Sequence, residues 1–69
     1  MIYQYEIDFS VMYKDKVTTI QSTTVQANSL EFAKEKLETE TKRRLGNCEI
    51  LFHSASLQVS EDEKYNIVI

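Results

Sequence analysis

Cys48 and His53 are the only thiol and the only imidazole in the chain. A nucleophilic thiol needs a base beside it. Set five positions apart on a strand, these two fall on opposite faces unless a bulge intervenes. Cys48 reads instead as a small buried thiol near a helix exit, and His53 as a partly exposed ring. Glu6 and Asp8 share one strand face, about 7 Å apart at their Cα atoms. That spacing suits a hard cation or general acid/base work, but their face is the polar one and reads as a solvated outer surface. Lys42-Arg43-Arg44, with Lys14, Lys16 and the stacking ring of Tyr13, would form a basic patch for nucleic acid. The simpler account is cations set against the negative end of a helix dipole. Glu61-Asp62-Glu63, with Glu49, make the last third acidic and could meet a basic partner surface; a solubilising turn explains them more simply. No polar groups converge as they do in an active site. The expectation is therefore a chain that is not an enzyme, with no catalytic, cofactor-binding or metal-ligating residue.

Composition closes further routes. One cysteine permits no internal disulfide, and one Cys with one His permits no intramolecular Cys/His zinc cluster. The single glycine, Gly46, cannot build a phosphate-cradling loop. With no proline and 42% hydrophobic residues, the 69-residue chain is neither linker-like nor disordered. Eight basic against eleven acidic side chains give a net charge of −3, which argues against a general nucleic-acid or membrane-surface binder. The charge is uneven: by direct count about −1 over residues 1–29, +1 over 30–46 and −3 over 47–69. No basic n-region or long apolar run marks the start as a leader. Ile50-Leu51-Phe52 and Ile67-Val68-Ile69, the longest apolar stretches, are too short to cross a bilayer. With a lone Cys48 this points to a reducing, cytoplasmic setting.

The elements that must position these groups follow from periodicity. Tyr3, Tyr5, Ile7, Phe9, Val11 and Tyr13 alternate with Gln4, Glu6, Asp8 and Ser10. A period of two makes a strand with one apolar and one wet face. Lys14-Asp15-Lys16 reads as a hairpin turn of open type. Residues 17–27, rich in Val, Ile and Thr, read as an edge strand. Ile20 breaks the parity of Val17, Val25 and Ala27, which calls for a bulge or a two-sided strand. Asn28 or Ser29 starts a helix, with Asn28 and Glu31 at capping-box spacing. Leu30, Ala33, Leu37, Thr41 and Leu45 form its apolar stripe, and Gly46 ends it. Glu38–Lys42 and Glu40–Arg44 are favourable i,i+4 pairs. Residues 48–59 return to strand, with a parity conflict that asks for a bulge near His53-Ser54. After the turn at Ser60, Tyr65, Ile67 and Ile69 alternate in a last strand.

The expected fold is α+β: one ββαββ domain over residues 1–69. Its single-layer antiparallel sheet has strand order 2-1-3-4, and one helix packs on one face. A helix shorter than the first strand would leave Val11, Met12 and Tyr13 at the hairpin tip in need of cover, which a partner could supply. The functional expectation is a small non-enzymatic protein-interaction or regulatory domain. It would act through a sheet edge or its acidic surface, with Tyr13, Glu61, Asp62, Glu63, Tyr65 and Ile67 at the contact. The partners expected are a protein of unknown identity and a second copy, a dimer being favoured. The alternative is a nucleic-acid module using Lys14, Lys16, Lys42, Arg43 and Arg44. The small size and Lys/Glu/Thr/Asn-rich composition are similar in type to short phage and mobile-element proteins.

Overall fold

Strand β1 (Tyr3–Tyr13) is the axis of the molecule. Its alternation places Tyr5, Ile7, Phe9 and Val11 in the core and turns Glu6 and Asp8 to the other face. The computed structural model describes residues 2–67. Antiparallel partners flank β1 on both sides: β2 (Lys16–Val17) and β3 (Gln21–Ala27) on one, β4 (Glu49–Gln58) on the other. Strand β5 (Lys64–Ile67) pairs β4 and forms the far edge. Helix α1 (Leu30–Leu45) lies on the apolar face, packed on β3 and β1. The α+β class, the single helix and the antiparallel sheet are as the patterning implies.

The strand order differs in detail from the expected 2-1-3-4. The sheet has five strands in the order β2-β1-β4-β5, with β3 also on β1. What reads as one second strand is two, because residues 18–20 stand opposite only Ser10 and Val11. Thr18 holds this irregularity: its N–H donates to the Val11 carbonyl at 2.9 Å, and its Oγ1 accepts from the Val11 N–H at 3.0 Å. A side-chain oxygen thus stands in for the ladder carbonyl, and the extra residue sets Val17, opposite Met12, on the other face from Val25, opposite Tyr5, while Ile20 is exposed between the strands. The second expected bulge sits at His53. Ser54 faces Asp8 and Phe52 faces Phe9, so His53 is the unpaired residue between them.

The turn between β1 and β2 has positive φ at both Lys14 (51°) and Asp15 (63°). Two left-handed residues in a two-residue loop are the mark of a type I′ turn, whose twist matches that of the flanking strands. The helix cap is Ser29, whose hydroxyl accepts from the Phe32 N–H at 3.2 Å; the Asn28–Glu31 spacing is one residue out of phase with it. Gly46 closes the helix at φ 83°, its N–H on the Lys42 carbonyl at 2.8 Å.

One expectation is overturned at the hairpin. Val11 is only 3% exposed, and Met12 and Tyr13 are half-buried. The helix begins beside the Tyr3 end of β1, where β3 finishes, and runs back toward the Tyr13 end, where β4 starts opposite Met12. Leu37, Ile50 and Cys48 pack against the core there. Cover is lacking at the opposite end, where Tyr3 and Tyr65 are exposed. Val68 and Ile69, expected in the last strand, lie outside the described residues.

Candidate functional site

Pairing register lays the polar side chains of the sheet's open face in cross-strand rows, and they bond one another within a row and between neighbouring rows. Gln4 Nε2 donates to Gln58 Oε1 at 2.9 Å. Lys64 Nζ reaches Glu6 Oε2 at 3.0 Å. Asp8 is clamped from both sides: Ser22 on β3 donates to Oδ1 at 2.5 Å and Ser54 on β4 donates to Oδ2 at 2.7 Å. The Ser22 hydroxyl, then that of Ser54, holds the Asp8 carboxyl below its ordinary value of 3.8; nearby His53 and Lys64 add to this, and desolvation opposes it. Ser10 Oγ lies 2.7 Å from His53 Nε2, the contact that the bulge at His53 makes possible. No buried side-chain N or O lacks a partner among the described residues. A face whose donors and acceptors already serve one another has little left to recruit a ligand.

Ser10, His53 and Asp8 have the composition of a hydrolytic triad without its geometry. Ser10 is 2% exposed, so a substrate carbonyl has no approach to Oγ. Both Asp8 oxygens accept from serines instead of orienting the imidazole. Cys48 packs against the core, whereas His53 binds Ser10 on the opposite face. Among the described residues no three His, Cys, Asp or Glu side chains gather as a metal site would require.

The five cations of the basic alternative share the hairpin end of the molecule, where the last turn of the helix arrives. Lys14 and Lys42 line one surface cleft of about 500 Å³, in company with Asp15 and Glu49. Arg44 lines a different cleft, between the helix and β3, and pairs with Glu40 at 3.8 Å. Lys16 and Arg43 are exposed. Lys14 Nζ lies 5.3 Å from the centre of the Tyr13 ring.

The expected interaction residues divide between the two ends of β1. Tyr13 is at the hairpin. Glu61, Asp62 and Glu63 form the exposed turn into β5, closed by the Ser60 and Glu63 backbone groups, and Tyr65 and Ile67 follow on β5 itself. On the helix side, register sets Tyr5, Leu57 and Tyr65 in one row and Ile7, Ala55 and Ile67 in the next. The helix reaches β4 through Lys34, whose Nζ lies 5.1 Å from the centre of the Phe52 ring. Beyond that, Tyr3, Val59 and the half-buried Leu57 line one surface cleft with Ile2 and three glutamines, and Leu57 pairs with the exposed Tyr65 on the β5 edge, which makes a bare corner. Leu57 enters the site through register, and Tyr3 and Val59 through the cleft they share with it; the alternation of Tyr65 and Ile67 is legible in the sequence.

The two sheet edges are not equivalent. On β3, Lys36 donates to the Gln26 carbonyl at 2.8 Å, and the irregularity at Thr18 interrupts the strand. Among the described residues β5 carries no such cover, and Lys64, Tyr65 and Asn66 are exposed. Among the described residues no helix is long and apolar enough to cross a membrane. No family model, curated protein or solved structure matches the chain.

Proposed function

We propose that this chain is a small non-enzymatic protein-interaction domain that works through the β5 edge and the bare corner beside it. The observation that carries the reading is Tyr65, 57% exposed on an edge strand, in one row with the half-buried Leu57 and the core residue Tyr5. An uncovered strand edge offers unpaired backbone groups, and an aromatic beside it offers apolar area at low entropic cost. The acidic turn Glu61-Asp62-Glu63 flanks this surface and would favour a basic rim on the partner. A reducing, cytoplasmic setting belongs to the proposal and rests on the single unpaired Cys48.

Comparative capture tests it. Tagged wild-type chain and a Tyr65→Asp variant of equal circular dichroism are used as bait in extract of the native host. The expected result is a partner, or an untagged copy of the chain, held by the wild type and lost from Tyr65→Asp. It is retained by a Lys14→Ala/Lys42→Ala variant. Identical protein sets on all three baits would overturn the reading. The nucleic-acid alternative has less support, since Asp15, Glu49 and Glu40 stand beside its cations.

A further inference from the structure

Resting on that interaction reading, we infer that the occupant of the bare corner is a second copy of this chain. Its β5 runs antiparallel to the first about a two-fold axis at Asn66. The surface area is the first argument. The chain exposes 5165 Å², whereas a compact monomer of its mass exposes about 4,500 Å². The surplus of roughly 700 Å² goes with an elongated shape, 38 × 21 × 18 Å, and is of the order of the ~800 Å² that each partner contributes to a standard interface. The radius of gyration, 12.4 Å, likewise exceeds the ~11 Å of a compact domain of this length.

Self-complementarity is the second argument. Antiparallel strands related by a two-fold pair residue by residue with their own copy. With the axis at Asn66, Tyr65 meets Ile67 of the second copy on the helix side, twice, and Asn66 meets Asn66 on the polar face. Apolar groups oppose apolar groups and no like charges face each other, which is what stabilises cross-strand pairs. Moving the axis to Tyr65 would instead set the Glu63 carboxylate against Ile67. The axis at Asn66 is the register of the two in which Tyr65 and Ile67 of β5 (KYNI) oppose each other. On the β3 edge, by contrast, Lys36 already takes the Gln26 carbonyl.

A register-sensitive disulfide tests the geometry. In a Cys48→Ser background, Asn66→Cys is expected to give a covalent dimer under mild oxidation, since directly opposed antiparallel residues lie about 4.5–5.5 Å apart at Cα, within disulfide reach. Lys64→Cys, on the same face, is expected to stay largely unlinked, its own copy lying roughly 13 Å away in this register. Sedimentation of the wild type should give twice the 8.1 kDa chain mass at tens of micromolar. Tyr65→Asp should weaken dimerisation roughly 30-fold or more without altering the circular dichroism. A wild type that stays monomeric to hundreds of micromolar overturns the inference, as does a dimer in which Asn66→Cys links no faster than Lys64→Cys. If the chain is monomeric but Tyr65→Asp still strips another protein from the bait, only the second-copy inference falls. If Tyr65→Asp strips nothing, the wider reading falls as well.

Discussion

One row of the sheet crosses both halves of the molecule. Thr23, Ile7, Ala55 and Ile67 stand side by side on β3, β1, β4 and β5. Ile7 is fully buried and Ile67 only half-buried. In the adjacent row Tyr5 is 6% exposed and Tyr65 57%. Like residues on one face therefore differ sharply in burial, and the cause is width. A helix is about 10 Å across and strands lie about 4.8 Å apart, so one helix covers two strands. Here it covers β3 and β1. β4 is completed by contact with β1 and by Lys34, and β5 has neither. A one-helix chain with a sheet four strands wide keeps an apolar remainder, and that remainder is where a partner gains most.

The largest effect should come from breaking the covered half. Ile7→Ala removes a fully buried side chain and should cost about 2–5 kcal/mol, which takes most of the stability of a chain this short. Ile67→Ala, in the same row, should cost about 1 kcal/mol or less. Urea unfolding of both variants checks this, and equal losses would mean that the two halves are equally packed. Ser29→Ala loosens the helix cap and should cost about 1 kcal/mol. Hydrogen exchange should then quicken in α1 and β3 and stay unchanged in β5. Uniform acceleration would show that the helix covers the whole sheet.

The polar face ties the halves together, and Asp8 is the tie. Its carboxyl is held below 3.8 by the Ser22 and Ser54 hydroxyls. A carboxyl depressed in the folded state adds stability above its unfolded value and loses that contribution as pH falls through the folded one. Thermal stability of the wild type should therefore decline as pH drops from about 4 toward 2. Asp8→Asn should be less stable at pH 7 and should flatten the decline. An unchanged slope would show that the clamp contributes nothing.

The sequence made one face of β1 legible because alternation alone decides which side chains point inward. It made the bulge at His53 legible as a parity conflict between Phe52 and Ala55. It did not disclose Ser10 as the partner of His53, nor the two serines on Asp8. Those contacts join residues 43, 14 and 46 positions apart, and only the pairing register brings them together. The I′ turn at Lys14-Asp15 was hidden because neither residue is the Asn or Gly that positive φ favours. The cover of Val11 was not legible because strand and helix lengths do not disclose the packing of Leu37, Cys48 and Ile50 against the core. The bare corner was half legible: Tyr65 and Ile67 announce an apolar edge, but Leu57 joins it through register and Tyr3 and Val59 through the cleft they share with Leu57.

The smallest effect on folding should come from Tyr65→Ser, and that is why it is the sharpest test of the comparison. An edge side chain more than half exposed adds little to the chain's own packing, so the unfolding free energy measured under dilution should change by about 0.5 kcal/mol or less. Tyr5→Ser, in the same row, deletes a ring at 6% exposure and should cost about 3–5 kcal/mol. If Tyr65 serves association instead, the wild type's unfolding midpoint should rise with protein concentration while that of Tyr65→Ser does not, because a partner that binds only the folded state stabilises it by mass action. A Tyr65→Ser chain as concentration-dependent as the wild type would remove the corner's claim to a partner, and a large loss under dilution would make Tyr65 part of the core.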